Sequence, residues 1–148
     1  MPLDGNLFLA SLNGETVRLT NSKDGELNPA VSPKGRYLSF VRGGNLVVLD
    51  IATRAEKQVT TGSSDTISWG VAEFVAQEEM DRQQGYWWAP DDSRIAVARV
   101  DESGVGIVNR AAIGADGTKI FPQRYPAAGT PNAVVDLYVM DPLGEHQV

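Results

Sequence analysis

Cysteine is absent from the 148-residue chain, so neither a disulfide framework nor a thiolate metal site is open to it. Basic residues are scarce: 13 Lys and Arg stand against 19 Asp and Glu, a net charge of −6. That balance argues against a nucleic-acid partner, which requires a basic face, and against an anionic membrane surface. No run approaches the ~20 apolar residues of a membrane-spanning helix. The opening stretch, MPLDGNLFLASLNGE, lacks the basic-then-apolar layout of a secretion signal. Strand alternation begins almost at once, as in a segment of something larger, and the compartment stays open between periplasm and cytoplasm. Histidine occurs once, as His146, and there is no G-x-S-x-G nucleophile elbow. The segment is therefore expected to hydrolyse nothing alone, with His146 a packing or surface residue. Asp91-Asp92 lacks the spacing of a calcium loop, and neither a metal nor a cofactor is expected.

What the chain has in quantity is short strand patterns. NLFLASL (6–12), TVRLT (16–20), RYLSFVR (36–42), NLVVLDI (45–51), RIAVARV (94–100) and VVDLYVM (134–140) are rich in β-branched and aromatic residues. Turn dipeptides separate them: Asn13-Gly14, Asp24-Gly25, Lys34-Gly35, Gly43-Gly44 and Asp116-Gly117. The strands also repeat. With Pro33 set over Pro90, Leu38 falls on Ile95, Phe40 on Val97 and Arg42 on Arg99. GNLFLASLNGETVRLT (5–20) likewise matches GNLVVLDIATRAEKQVT (44–60) with one gap. A unit of about 40 residues holding four short strands is the size of one β-propeller blade.

The expected fold is therefore all-β: antiparallel four-stranded blades of an incomplete propeller, with one short helical insertion and a β-arm. Residues 1–20 are read as the end of one blade, 21–60 as a second, and 61–148 as a third. The third carries the helical insertion at 70–85 and the arm at 101–134, where GIVNRAAI and TKIFPQRY are strand-like. A closed propeller takes four or more blades, so the chain is expected to be part of a longer protein, and its open blade edges to favour self-association.

Within the insertion, GVAEFVAQEEMDRQQGYWW places Val71, Phe74 and Val75 on one helical stripe, with Glu78 at i+7 and Glu79 on its flank. Two adjacent carboxylates suit a primary ammonium, which offers three donors and a positive charge. The alternative is a solvated helix end in which Arg82 pairs with one or both glutamates. Trp87 and Trp88, on opposite faces of a strand, read as blade packing rather than a stacking platform. Paired acids also serve glycoside hydrolysis, but there they flank the sugar from separate elements. Spacing alone leaves the first two readings open.

The stretch WGVAEFVAQEEMDRQQGYWWAPDDSRIAVARVDES (69–103), with FPQRYPAAGTPN (121–132), resembles the dipeptidyl peptidase IV family of serine exopeptidases. It is most similar to bacterial members and their cytosolic animal relatives, and the resemblance extends over about residues 28–148. It implies an irregular propeller set over an α/β-hydrolase domain absent from this chain, and release of N-terminal dipeptides with proline or alanine second. The family's double-glutamate motif, which binds the substrate's free N-terminal ammonium, maps onto Glu78 and Glu79. The resemblance also implies homodimer contact through the 101–134 arm. The family's carbonyl-binding arginine would fall before Met1, and that role is not transferred to Arg18, Arg36, Arg42 or Arg82. The competing reading is a non-enzymatic propeller module for protein–protein contact.

Overall fold

The computed structural model describes residues 2–145; His146 lies outside the described residues. The fold is all-β, with antiparallel sheets of the kind that form propeller blades. The first sheet holds β1 (Pro2–Leu3), β2 (Asn6–Ala10) and β3 (Thr16–Arg18). The second is a four-stranded meander of β4 (Leu27–Val31), β5 (Tyr37–Arg42), β6 (Asn45–Asp50) and β7 (Glu56–Gln58). Its central hairpin closes through Gly43-Gly44, at φ +55 and +73, as a two-residue turn between Arg42 and Asn45 requires.

The internal repeat reappears in hydrogen bonds. Thr20 Oγ1 accepts from the Leu7 amide at 2.8 Å, and Thr60 Oγ1 accepts from the Leu46 amide at 2.8 Å. In each sheet a threonine just past the last strand closes the start of an inner strand, which satisfies a donor that the ladder leaves over.

The third sheet contains β8 (Ile67–Trp69), β9 (Tyr86–Trp88), β10 (Ile95–Asp101) and β13 (Val134–Met140). β10 pairs with β13 along one side. On the other side β9 covers its first half, Ile95–Val97, and β8 its second, Arg99–Asp101. β8 and β9 thus lie end to end as one interrupted strand, and α1 (Phe74–Glu79) belongs to the excursion between them. A second excursion, β11 (Ile107–Gly114) paired with β12 (Gly117–Arg124), forms a hairpin whose first strand is exposed throughout. This is the arm.

The core lies between sheets. β5 alternates faces with period two: Leu38 and Phe40 pack with Leu7, Val47 and Leu49 toward the first sheet. Tyr37 and Val41 pack with Leu46, Val48, Trp69, Tyr86, Ile95, Val97 and Met140 toward the third. Because both faces are buried, β5 and β6 read as nearly continuous apolar runs. Polar contacts lock the second and third sheets together. Asp92 accepts from Ser32 Oγ at 2.6 Å and from the Lys34 amide at 3.0 Å. The Trp88 ring stacks on Tyr37 at 5.6 Å, and its indole N–H donates to Ser39 Oγ at 2.8 Å. Arg42 joins the fully buried Glu26 side chain to Glu56 on β7, and its hydrogen bond to Glu56 chiefly holds the guanidinium pKa above the ordinary value.

Candidate functional site

The site is carried on the excursion between β8 and β9, which leaves and re-enters the sheet at a neck of two glycines. Gly70 N–H donates to Ala98 O (3.0 Å), Ala98 N–H to Gly85 O (2.8 Å) and Gly85 N–H to Gly70 O (3.0 Å). Both glycines thus share one partner position on β10. A Cβ on Gly85 would lie 2.2 Å from Val71 O, so no side chain fits there. Above the neck Val71 bridges Gln84, and Ala72 N–H donates to Gln83 O at 3.0 Å. The preceding sheet steadies the returning leg: Asn28 Nδ2 donates to Gln83 O at 2.9 Å, and the Tyr86 hydroxyl lies against Asn28 O and, at 3.1 Å, Ser39 O. Burial pushes the Tyr86 phenol up to about 12 from its usual 10.0.

The helix is narrower than the run 70–85. It spans Phe74–Glu79, capped by the Glu73 carboxylate, which accepts from Val75 N (2.6 Å) and Ala76 N (2.7 Å). Gln77 Nε2 donates back to Ala72 O at 2.5 Å, and Ala76 alone among the helical residues is buried. Val71 belongs to the β-bridged neck, so the expected stripe from Val71 to Glu78 is not a helical face. Glu78 instead stands one turn after Phe74.

Glu78 and Glu79 are both exposed, and neither has a hydrogen-bond or ion-pair partner among the described residues. Arg82 does not pair with them. Its guanidinium sits over the Trp87 ring, 5.6 Å from the centroid, and donates to Gln84 O at 3.0 Å. The two tryptophans divide as strand geometry demands: Trp88 packs into the blade, while Trp87 is 45% exposed under Arg82. The glutamates front a groove of about 570 Å³ between helix and arm, lined also by Phe74, Val108, Arg110, Tyr125 and Ala127. Phe74 and Tyr125 meet edge to face at 5.3 Å and 71°. Arg110, on β11, donates to Gln123 at 2.8 Å across the hairpin and carries no ion pair among the described residues. The groove therefore holds two acids and one base, a net −1.

Neither Arg110 nor Tyr125 stands out in the sequence, since each lines the glutamates' groove only because the arm folds back over the insertion. Among the described residues no group of three His, Cys, Asp or Glu side chains gathers as a metal site. Asp91 is occupied by Ser93, whose hydroxyl and amide hold its carboxyl below the usual range.

Human dipeptidyl peptidase 8 is 32% identical over 115 residues, covering 67% of this chain and 13% of that protein. A probable dipeptidyl-aminopeptidase B of Grosmannia clavigera is 33% identical over 133 residues, covering 74% of this chain and 14% of that protein. The crystal structure of Porphyromonas gingivalis dipeptidyl peptidase 4 superposes with a TM-score of 0.79 at 26% identity, over 90% of this chain and 19% of that one. The chain thus spans about a seventh of the curated relatives it matches. The profile described as the dipeptidyl peptidase IV (DPP IV) N-terminal region matches residues 1–148, from end to end, and the chain belongs to that family.

Proposed function

We propose that this chain is the substrate-recognition segment of a serine-type dipeptidyl peptidase, and that Glu78 and Glu79 bind the free N-terminal ammonium of the peptide. The observation that carries this reading is the pair itself: two adjacent, partnerless carboxylates on a short helix, facing a groove large enough for a peptide end. An ammonium there gains two charge-assisted hydrogen bonds and offsets the repulsion between the acids. Both glutamates are exposed in this chain, so the cost of a blocked N-terminus arises on binding, when substrate covers carboxylates it cannot satisfy. Exopeptidase selectivity follows from that cost, with cleavage two residues along at a nucleophile in an α/β-hydrolase domain of the parent chain. Proline or alanine preference at the second position belongs to that domain.

In this reading residues 1–20, 21–60 and 61–148 are the end of one blade, a second blade and a third. The arm within 101–134 supplies homodimer contact, in keeping with its exposed Ile107, Ile113, Ile120 and Phe121. The test uses the longest native chain containing this segment, with alanyl-prolyl anilide and its N-acetylated counterpart. Cleavage of the free amine alone, reduced sharply by Glu78→Gln or Glu79→Gln, supports the amine clamp. Equal cleavage of both compounds, untouched by either substitution, leaves a propeller module for protein contact as the better account.

A further inference from the structure

From the contact between the insertion and the arm, we infer that Tyr125 is a positioning residue for amine recognition: it sets the direction of Glu78 through Phe74. The inference rests on the amine-clamp reading above. A helix of six residues with a single buried side chain has little stability of its own. Its first turn is held by the Glu73 cap and by Gln77 on Ala72 O, but both fix the start of the helix, and no side-chain contact holds the glutamates themselves. That end turns directly into Asp81, at φ +49, with Met80 and Arg82 amides both closing on Ala76 O.

Phe74 is the lever. It lies one helical turn before Glu78, on the same face, and lines both the 570 Å³ groove and a neighbouring one of about 350 Å³. With open space on two sides, its ring is steadied by the edge-to-face contact with Tyr125. Tyr125 is itself well founded. Its amide donates to Gly106 O at 2.9 Å, and the preceding Arg124 donates to Val105 O at 2.7 Å with Val105 buried. The chain from the arm's root through Tyr125 and Phe74 to Glu78 is thus continuous, and the glutamates are aimed from the arm side as well as from the blade. Loss of the ring contact lets Phe74 move into either groove and carries Glu78 with it. Free-amine substrates then bind less tightly, while the bond-breaking groups, carried by another domain of the parent chain, are untouched.

The test measures kcat and KM for alanyl-prolyl anilide in the longest native chain. Tyr125→Leu keeps apolar volume and removes the aromatic edge; Tyr125→Phe keeps the edge. The expected result is a KM raised about five- to tenfold by Tyr125→Leu, with kcat within about twofold, and wild-type constants for Tyr125→Phe. In a Glu78→Gln background, Tyr125→Leu adds less than about twofold, because its route of action is already gone. An unchanged KM in Tyr125→Leu, a fall in kcat with KM intact, or full additivity with Glu78→Gln overturns the inference while leaving the amine clamp standing. If Glu78→Gln and Glu79→Gln do not move KM, the clamp fails and the inference with it. Unaltered melting temperature and oligomeric state of Tyr125→Leu, checked by calorimetry and light scattering, exclude a general loss of fold.

Discussion

Gly85→Ala is the sharpest perturbation of the neck. The new Cβ would sit 2.2 Å from Val71 O, 2.6 Å from Val71 C and 2.9 Å from Val71 N, all backbone atoms that cannot rotate away. Relief requires the two legs of the excursion to part until the oxygen clears at least 3.0 Å, a shift of at least 0.8 Å. The Gly85 N–H to Gly70 O bond and the Val71–Gln84 bridge span that gap, and the Ala98 N–H to Gly85 O bond anchors its returning side to β10. At about 1 kcal/mol for each interaction, loss of two or three lowers the free energy of opening the neck by about 2–3 kcal/mol. Native-state amide hydrogen exchange reads this directly: in the longest native chain the amides of Ala72, residue 85 and Ala98 should exchange about 30- to 150-fold faster. Amides of the β5–β6 hairpin should not change. Gly104→Ala, where an added Cβ meets nothing within 4 Å, is the control. Undiminished protection at Ala98 in Gly85→Ala would refute the claim that the glycine neck holds the excursion in place.

Three further outcomes are expected. Trp88→Phe keeps a ring against Tyr37 but removes the donor to Ser39 Oγ, and should lower stability in urea by about 1 kcal/mol. Asp92→Ala strips the acceptor from Ser32 Oγ and the Lys34 amide at a residue with φ +64, and should cost about 2–4 kcal/mol; Asp92→Asn, which tolerates that backbone and keeps one acceptor, should cost roughly half. The Tyr86 phenol ionises near 10.0 in the unfolded chain and at about 12 when folded, so the unfolded state loses its proton first as pH rises. Stability should be intact below pH 10 and fall by about 2–3 kcal/mol towards pH 12, a slope that Tyr86→Phe abolishes in a pH series of urea melts.

The strands legible in the sequence are those long enough to show a pattern. β5, β6, β10 and β13 each present six or seven residues of β-branched or aromatic character, and each was expected within a residue or so of its observed bounds. Among the shorter strands β2 and β3 were also expected, within NLFLASL and TVRLT, and the others are hidden for separate reasons. β4 contains Pro29 and a register shift, while Glu56–Gln58 has no apolar residue at all. β8 and β9 have three residues each, and nothing in a linear pattern says that two fragments share one strand position. The helix was overextended because Val71 continues the apolar spacing of Phe74 and Val75; pairing with Gln84 overrides that spacing. Glu73 is an unusual cap, outside the Ser, Thr, Asp and Asn that announce helix starts. The acidic pair itself was visible as a motif. The groove in front of it was not, since Val108, Arg110 and Tyr125 come from an arm about 30 to 47 residues further along the chain.

The glycine neck has a consequence for how such a chain can change. Trp69 faces Arg99 and Tyr86 faces Val97, two positions apart on β10, with Gly70 and Gly85 together opposite Ala98. Seen from β10, the detour of residues 71–84 takes up no length. Residues can be added to or removed from its outer part without altering the parity of the strand, so no side chain changes from the inward to the outward face. The reach and chemistry of the loop are thereby uncoupled from the architecture that supports it. The loop can be lengthened, shortened or rewritten in its outer part, while the demands of a sound blade fall on a handful of positions around Ala98.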